Sequence, residues 1–168
     1  MRDRQPVRDA QRDAEFAAFT RQAGVRLLRT ATLLTAEPPD ACPRARRLLT
    51  LALAHLYAHW DRPPGEDPYE RARGYLAVRF ARGSWYRRAR PVGPLAGLTP
   101  PERLVLVLRL YEGVGEEQTA ALLGLSAERV YRICERATIR LLRPPPLATG
   151  CAAARRAPSW ARGAGRLS

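Results

Sequence analysis

The amino-acid sequence predicts an all-α fold of two small helical domains, a three-helix bundle followed by a helix-turn-helix domain. Three observations predict it. Apolar residues recur at helical spacings over most of the chain, no stretch shows the alternation that a strand needs, and PVGPLAG (residues 91–97) has the proline and glycine content of a linker. We therefore expect domains at residues 13–90 and 98–143, a linker at 91–97, and a disordered tail at 144–168.

The first domain is expected to contain three helices. Asp13 can cap the first, which covers residues 14–34 and ends at the sequence EPPD. Pro43 suits the first position of the second helix, which extends to residue 60. Asp67, followed by a proline, supplies a cap and a first turn for the third helix, which the pattern extends to residue 90.

The second domain begins with Thr99 and Glu102, which have the spacing of a capping box. The helix that follows is expected to stop at Gly113. The next stretch, GEEQTAALLGLSAERVYRICERATIRLL (residues 115–142), predicts a short helix, a tight turn at Gly124 and a longer helix.

This last stretch has the residues that a DNA-reading helix-turn-helix requires. Ala120 is small enough for the second helix to cross closely, Gly124 tolerates a positive φ, and Val130 and Ile133 turn apolar side chains toward the first helix. Ser126 is a good N-cap for the second helix. An ordinary helical hairpin is the alternative. The side expected to be exposed comprises Ala127, Glu128, Arg129, Tyr131, Arg132 and Arg136, whose polar members, with Ser126, are the candidate DNA-binding residues.

The charge of the chain favours a nucleic-acid partner. The formal net charge is +13 and the isoelectric point is about 11.1, which indicates a polyanionic partner, either nucleic acid or a membrane surface. All 29 basic residues are arginine, and the chain has no lysine and no asparagine, which also fits the codon usage of a GC-rich genome. Together with the helix-turn-helix pattern, the sign and size of the charge indicate DNA.

A second candidate surface lies on the third helix, where basic and aromatic residues are interleaved without an acid. Single-stranded DNA is bound by this combination, because rings stack on bases and guanidinium groups contact phosphates. The alternative is that the aromatic residues form a core stripe beside a solvated arginine face. The run comprises Arg71, Arg73, Arg79, Arg82, Arg87, Arg88 and Arg90 with Tyr75, Phe80, Trp85 and Tyr86. The candidate contacts among them are Arg79, Arg82, Trp85, Arg87 and Arg88.

Other chemistry is not indicated. His55 and His59 are four residues apart on one helix, but no third zinc ligand is evident, and an ordinary helix surface is the simpler interpretation. Cys42, Cys134 and Cys151 show no CxxC spacing, so neither a metal site nor a disulfide framework follows. We expect no metal, no cofactor and no enzymatic activity. The chain has no apolar run near 18 residues and no signal peptide, so we expect a cytoplasmic protein without a membrane partner.

Residues 98–142 closely resemble region 4, the promoter-recognition domain, of bacterial RNA polymerase sigma factors, above all the extracytoplasmic-function group of actinobacteria. The shared features are LTPPER, YEG, A..LG.S and a basic helix that ends in RA and RLL. Residues 16–35, 51–60 and 72–88 resemble the three helices of region 2 more weakly. The resemblance implies promoter DNA and core RNA polymerase as partners, with an anti-sigma regulator as a further possible partner. It also implies that region 2 binds the polymerase clamp and melts the −10 element, and that region 4 reads the −35 element.

One departure from the family bears on activity. The second helix of the family carries Asp-Leu-Val-Gln-Glu, which docks on a basic surface of the polymerase. Here the corresponding residues 47–51 are RLLTL, so the candidate polymerase contacts are Arg47, Thr50 and Leu51. A like charge weakens such an interface. Two alternatives therefore stay open, a DNA-binding regulator with no initiation activity and a docking module for a regulator.

Overall fold

Every regular element in the described part of the chain is helical, as expected for the all-α class. The computed structural model describes residues 4–60, 65, 67–83 and 91–143. The expected helical segment 84–90 and the expected tail 144–168 lie outside these residues. The α-helices are α1 (Arg4–Thr35), α2 (Pro43–Ala58), α3 (Pro68–Arg82), α4 (Pro100–Leu106), α5 (Glu116–Leu123) and α6 (Ala127–Leu142), and a π-helical turn, Val107–Tyr111, continues α4.

Helix α1 begins nine residues earlier than Asp13, so the prediction that Asp13 caps it is wrong. The Asp13 carboxylate instead accepts a hydrogen bond from the hydroxyl of Tyr57 on α2. Arg12 donates to the Tyr57 carbonyl at 2.9 Å, and its guanidinium carbon lies 4.4 Å from the centre of the Tyr57 ring. Helix α1 therefore passes through Asp13 without a cap, and this part of α1 contacts the end of α2.

In α2 and in α3, a carboxylate from a nearby residue caps the first turn of the helix. Pro43 is at the start of α2, as expected, but the cap comes from Glu37, whose carboxylate accepts from the amides of Arg44 at 3.2 Å and Ala45 at 2.8 Å. At α3, the Asp67 side chain accepts from the amide of Tyr69 at 2.9 Å, which confirms the expected cap. The three helices enclose a core whose fully buried leucines are Leu27, Leu34, Leu48, Leu56 and Leu76, each worth about 1.5–3 kcal/mol of burial.

Helix α4 begins at the predicted pair of Thr99 and Glu102, with one difference. The Glu102 carboxylate accepts from the Thr99 amide at 2.9 Å, and the Thr99 hydroxyl donates to the same carboxylate at 2.8 Å instead of capping the first turn. Arg140 of α6 donates to it as well, at 2.8 Å. Burial raises the pKa of Glu102, but these donors outweigh burial and hold the pKa below its usual value. The charged carboxylate thus joins the start of α4 to the end of α6.

The π-helical turn determines where Glu112 lies. The amide of Glu112 donates to the Val107 carbonyl at 3.0 Å, five residues back. One extra residue in a helical turn rotates the following side chain by about 100° around the axis. Gly113 then ends the helix with a φ of +69°, which confirms the expected stop. The sequence pattern did not reveal the π-helical turn.

The two halves of the chain share one apolar core. Side chains from the linker and the second half, including Leu95, Leu98, Leu106 and Val107, belong to the same buried cluster as the leucines of α1, α2 and α3. The Val92 amide also donates to the Ala36 carbonyl at 2.8 Å, which ties the linker to the end of α1. The shared core does not test whether each half folds on its own, so the domain boundary at residues 91–97 stays a prediction.

A buried carboxylate lies within this shared interface. The side chain of Glu112 is fully buried, and it accepts from the Tyr69 hydroxyl at 2.9 Å and from the Thr30 hydroxyl. Arg26 donates to it at 3.2 Å, and a guanidinium nitrogen of Arg73 lies 4.0 Å away. All four partners come from α1 and α3, so Glu112 binds the second half of the chain to the first.

We predict that Glu112→Ala lowers the free energy of unfolding by about 3 kcal/mol or more, because two hydroxyls and two guanidinium groups lose their shared acceptor. Denaturant titration monitored by circular dichroism measures the change. The matched control is Glu117→Ala, which removes an exposed carboxylate from α5. Equal stabilities of the two variants would contradict this account of the interface.

The same contact predicts a loss of stability in alkali. Burial first, and then its hydrogen bond to the Glu112 carboxylate, raise the pKa of Tyr69 to about 12. Because the pKa in the unfolded chain is near 10, the stabilisation is complete below about pH 10 and is lost as the pH rises toward about 12. Tyr69→Phe should therefore show a flatter decline of unfolding free energy over that range. Parallel curves for the two proteins would show that Tyr69 is not coupled to folding.

Candidate nucleic-acid interface

The turn between α5 and α6 has the geometry that the sequence predicted. Gly124 adopts a φ of +65°, and the following amide, that of Leu125, donates to the Ala120 carbonyl at 2.9 Å. Ser126 then caps α6, since its hydroxyl oxygen accepts from the Arg129 amide at 3.3 Å. A glycine in the left-handed region followed at once by an N-cap fixes the angle at which α6 leaves α5.

A small apolar cluster holds α6 in place. Val130 is fully buried, and Ile133 packs with it against Ala120 of α5 and Val105 of α4. Ala127 was expected to be exposed, but it is half-buried against this cluster. Its position explains the difference, because a residue three places before Val130 lies on the same side of a helix.

The opposite side of α6 is open to solvent, and it carries the candidate contacts. Tyr131 is 56% exposed, so its ring is not part of the core. Glu135 belongs to the same surface, although the sequence analysis left it out. The exposed residues predicted to contact DNA are Ser126, Glu128, Arg129, Tyr131, Arg132 and Arg136.

On the exposed side of α6, one arginine is paired with a glutamate. The guanidinium of Arg132 donates to the carboxylate of Glu128 one helical turn earlier, and both side chains are about two-thirds exposed, at 66% and 71%. An exposed pair of this kind contributes little to stability. It does restrict the orientations of Arg132, which is predicted to reach a base edge.

The basic run on α3 divides into internal and external residues. Arg71 donates to the His59 carbonyl at 2.7 Å, and Arg73 lies between Glu70 at 3.6 Å and Glu112 at 4.0 Å with only 14% of its side chain exposed. Arg71 and Arg73 are therefore engaged in contacts within the protein. Arg79 and Arg82, in the last turn of α3, are exposed.

The aromatic residues of the run favour the core alternative where they are described. Phe80 is buried, and Tyr75 is half-buried with its ring stacked on His55 at 4.2 Å between centres. Neither is a free platform for a base. The candidate contacts Trp85, Arg87 and Arg88 lie outside the described residues, so their role stays a prediction.

The expected polymerase surface on α2 is basic. Arg47 and Thr50 are exposed, and the Thr50 hydroxyl donates to the carbonyl of Arg46 one turn earlier at 3.0 Å. Leu51 is half-buried, so it is less accessible to a partner than Arg47 and Thr50 are. An acidic side chain there would lose part of its hydration as well as change the surface.

The histidine pair and the two cysteines in the described part of the chain form no metal site with other described residues. The His55 and His59 rings lie 4.5 Å apart, and His59 Nδ1 is 2.8 Å from the His55 carbonyl oxygen. Within the described ranges, no group of three potential metal ligands comes together. Cys42 is buried and Cys134 is half-buried, both as free thiols.

An exposed apolar surface was missed by the sequence analysis. Leu110 and Tyr111, at the end of the π-helical turn, are 61% and 41% exposed. Ile139 and Leu142, near the end of α6, are 62% and 76% exposed. The sequence analysis made no prediction for these four residues, and no periodicity could show that the neighbouring helices leave them uncovered.

Comparison with known proteins agrees with this geometry. Residues 95–143 match the family described as Sigma-70, region 4. The chain is 32% identical over 155 residues to the RNA polymerase sigma-E factor of Streptomyces avermitilis, covering 76% of this chain and 83% of that protein. The sigma-E factor of Streptomyces coelicolor is 31% identical over 156 residues, with 76% and 84% covered. That of Streptomyces antibioticus is 31% identical over 155 residues, with 76% and 82% covered. No solved structure matches the chain.

We predict that Arg132→Ala weakens binding to a cognate site by about 1–3 kcal/mol and binding to random duplex much less, because a bidentate contact to guanine carries sequence information. Fluorescence anisotropy with both duplexes at one salt concentration measures the difference. Arg143→Ala, which removes an exposed charge at the end of α6, serves as the control and should weaken both duplexes alike. An equal loss on both duplexes for Arg132→Ala would assign Arg132 to phosphate contact.

Proposed function

The chain belongs to the RNA polymerase sigma factors of the extracytoplasmic-function group, and from this premise we propose that it binds promoter DNA and core RNA polymerase to direct transcription initiation. The observation that carries the proposal is the solvent-exposed side of α6. Three arginines, Arg129, Arg132 and Arg136, extend from a helix that a capped turn and a buried apolar cluster hold in place.

In the proposed complex, α6 lies in the major groove of the −35 element. A helix of this kind reads bases with its N-terminal half, which here presents Glu128, Arg129, Tyr131 and Arg132. Arginine pairs with the O6 and N7 atoms of guanine, and a glutamate accepts from the amino group of cytosine. Arg136, two turns along α6, is suited to a phosphate, because backbone contacts set the register.

The last turn of α3 supplies the proposed second DNA contact. Arg79 and Arg82 are exposed there, and we assign them to phosphates of the −10 element. Trp85, Arg87 and Arg88, which follow in the sequence, are proposed to stack on unpaired bases and to contact their backbone. Arg73, which lies in the interface with Glu112, is left out of this surface.

Core polymerase is the proposed protein partner. The exposed apolar residues Leu110, Tyr111, Ile139 and Leu142 are suited to a protein contact, and they lie in the half that resembles region 4. The α2 surface is the second proposed contact, and its basic character predicts weak docking to a basic clamp. An anti-sigma regulator is a further proposed partner. We assign the protein no catalytic role or cofactor, and its proposed partners imply a cytoplasmic site of action.

Two other functions are kept. A DNA-binding regulator without initiation activity is favoured by Arg47 and Thr50, which replace the acid and the amide of the family on α2. The same replacement favours a docking module for a regulator.

No helix among the described residues has both the length and the apolarity to cross a membrane.

Run-off transcription with purified core polymerase tests the proposed function. Sequences selected by the protein from a random pool serve as upstream elements of the template. The proposal predicts transcripts that depend on both the protein and the selected element. Tight DNA binding without transcripts or polymerase association would favour the regulator, and binding of neither DNA nor polymerase would favour the docking module.

We predict that the double change Arg47→Asp and Thr50→Gln tightens binding to core polymerase by at least about tenfold, or roughly 1.4 kcal/mol, since it reverses the like charge and adds a polar contact. Leu51 is left unchanged because it is half-buried. The double variant Arg46→Asp and Thr50→Gln makes the same change of charge one residue away, also at an exposed position. Equal affinities of the two variants would show general electrostatics instead of a specific dock.

A further inference from the structure

Of the three α6 arginines assigned to DNA, Arg132 is the one that pairs with an acid within the described ranges. Its guanidinium donates to the Glu128 carboxylate one turn earlier. Arg129 and Arg136 form no ion pair with another described residue. Any phosphate can therefore attract those two arginines, whereas Arg132 reaches a phosphate only by leaving Glu128.

The backbone that carries the Glu128–Arg132 pair is held in place. Ser126 caps this turn of α6 by accepting from the Arg129 amide at 3.3 Å, and Val130, between the two members of the pair, is fully buried. Residues four apart on a helix lie one above the other, with Cβ atoms about 5–6 Å apart. The pair therefore extends from α6 as one unit, in the N-terminal half that a recognition helix turns toward the bases.

The pair presents donors and an acceptor side by side, and a guanine–cytosine pair offers the complement. In the major groove, guanine shows its O6 and N7 atoms as acceptors, and cytosine shows its N4 amino group as a donor. The O6 and N4 atoms are neighbours because they hydrogen-bond to each other within the base pair. Arg132 can thus donate to guanine while Glu128 accepts from cytosine, and the contact between the two side chains is kept.

A carboxylate at this position also disfavours other sequences. Opposite thymine, which shows an acceptor and a methyl group, Glu128 would lose water without gaining a donor, and this loss is costly. Opposite adenine, Glu128 would find an amino group, but the partner thymine offers Arg132 one acceptor where guanine offers two. An unpaired charge directed against the wrong partner is a source of specificity.

We propose that Glu128 is a specificity-determining residue of α6. Glu128 and Arg132 together contact one guanine–cytosine pair of the −35 element, and on other sequences Glu128 holds Arg132 away from the phosphates. The inference rests on the proposed function in placing α6 in the major groove. It requires neither core polymerase nor initiation activity.

Base substitution in a bound duplex tests the pair. The probe is a sequence that the protein selects from a random pool, and the position that matters is the one at which Arg132→Ala abolishes a preference. There the unchanged protein should bind guanine–cytosine at least about fivefold more tightly than the pair in which adenine replaces cytosine. Glu128→Gln should narrow this difference to about twofold or less, because glutamine pairs with the N6 and N7 atoms of adenine. A preference that Glu128→Gln leaves unchanged would overturn the proposal.

Glu135→Gln is the matched control. Glu135 is exposed on the same side of α6, two turns after Glu128, and it forms no ion pair with another described residue. Removal of its charge should tighten binding to selected and random duplexes alike, without a change in base preference. If Glu135→Gln shifts the preference as much as Glu128→Gln does, charge alone determines it and the proposed pair is wrong.

The salt dependence of binding to random duplex DNA tests whether Glu128 restrains Arg132. Glu128→Ala frees Arg132 to contact a phosphate, so the slope of log K against log salt should steepen by about 0.9. Glu135→Ala removes the same charge without releasing an arginine, and its slope should match that of the unchanged protein. Equal slopes for Glu128→Ala and the unchanged protein would show that Glu128 does not hold Arg132 away from phosphates.

The same measurements separate failure of the pair from failure of the proposed function. If the selected element supports transcription while Glu128→Gln keeps the original preference, the pair is wrong and the proposed function stands. If Arg132→Ala keeps the original preference at every position, the pair and the assignment of Arg132 to a base edge are both wrong. A protein that selects no sequence from the pool would overturn the pair and the proposed function together.

Discussion

The buried carboxylate of Glu112 is the interaction on which the arrangement of the molecule depends. It reaches α1 and α3 because a π-helical turn moves it around the axis of the preceding helix, and two hydroxyls and two arginines meet it there. Without these partners a charge at this depth would be strongly unfavourable. Its position therefore fixes how α1 and α3 meet the end of the π-helical turn, and it keeps Arg73 of α3 inside this interface.

The high positive charge of the chain is divided between structure and recognition. The sequence contains 29 arginines, and only their surroundings in the structure show which are internal and which are exposed. Arg71 and Arg73 are used inside the protein, Arg103 is buried without sufficient partners, and Arg132 is held by a neighbouring acid on an open surface. Only the exposed groups can release counterions from DNA. The net charge of +13 thus overstates the cations that the surface of the protein can offer to DNA.

Local chemistry determined what could be predicted from the sequence. The turn at Gly124, the cap at Ser126 and the cluster around Val130 depend on residues close together in the chain, and all three were predicted. The start of α1 and the uncovered Leu110 depend on packing against distant segments. The cap from Glu37 depends on the path of the loop between α1 and α2, which no capping pattern shows. A π-helical turn leaves no periodic signal in five residues, so the position of Glu112 could not be predicted. The assignment of DNA and polymerase contacts rests on the resemblance and the comparisons together with this geometry.

Site-specific cross-linking from α6 in a promoter complex tests the central claim most directly. A photoreactive amino acid in place of Tyr131, which is 56% exposed, would be activated in the complex of this protein, core polymerase and a promoter. The account predicts cross-links to bases of the upstream element at a fixed distance from the transcription start, and their loss when that element is scrambled. Cross-links that go only to protein, or to DNA without a preferred position, would contradict the claim that α6 reads the promoter.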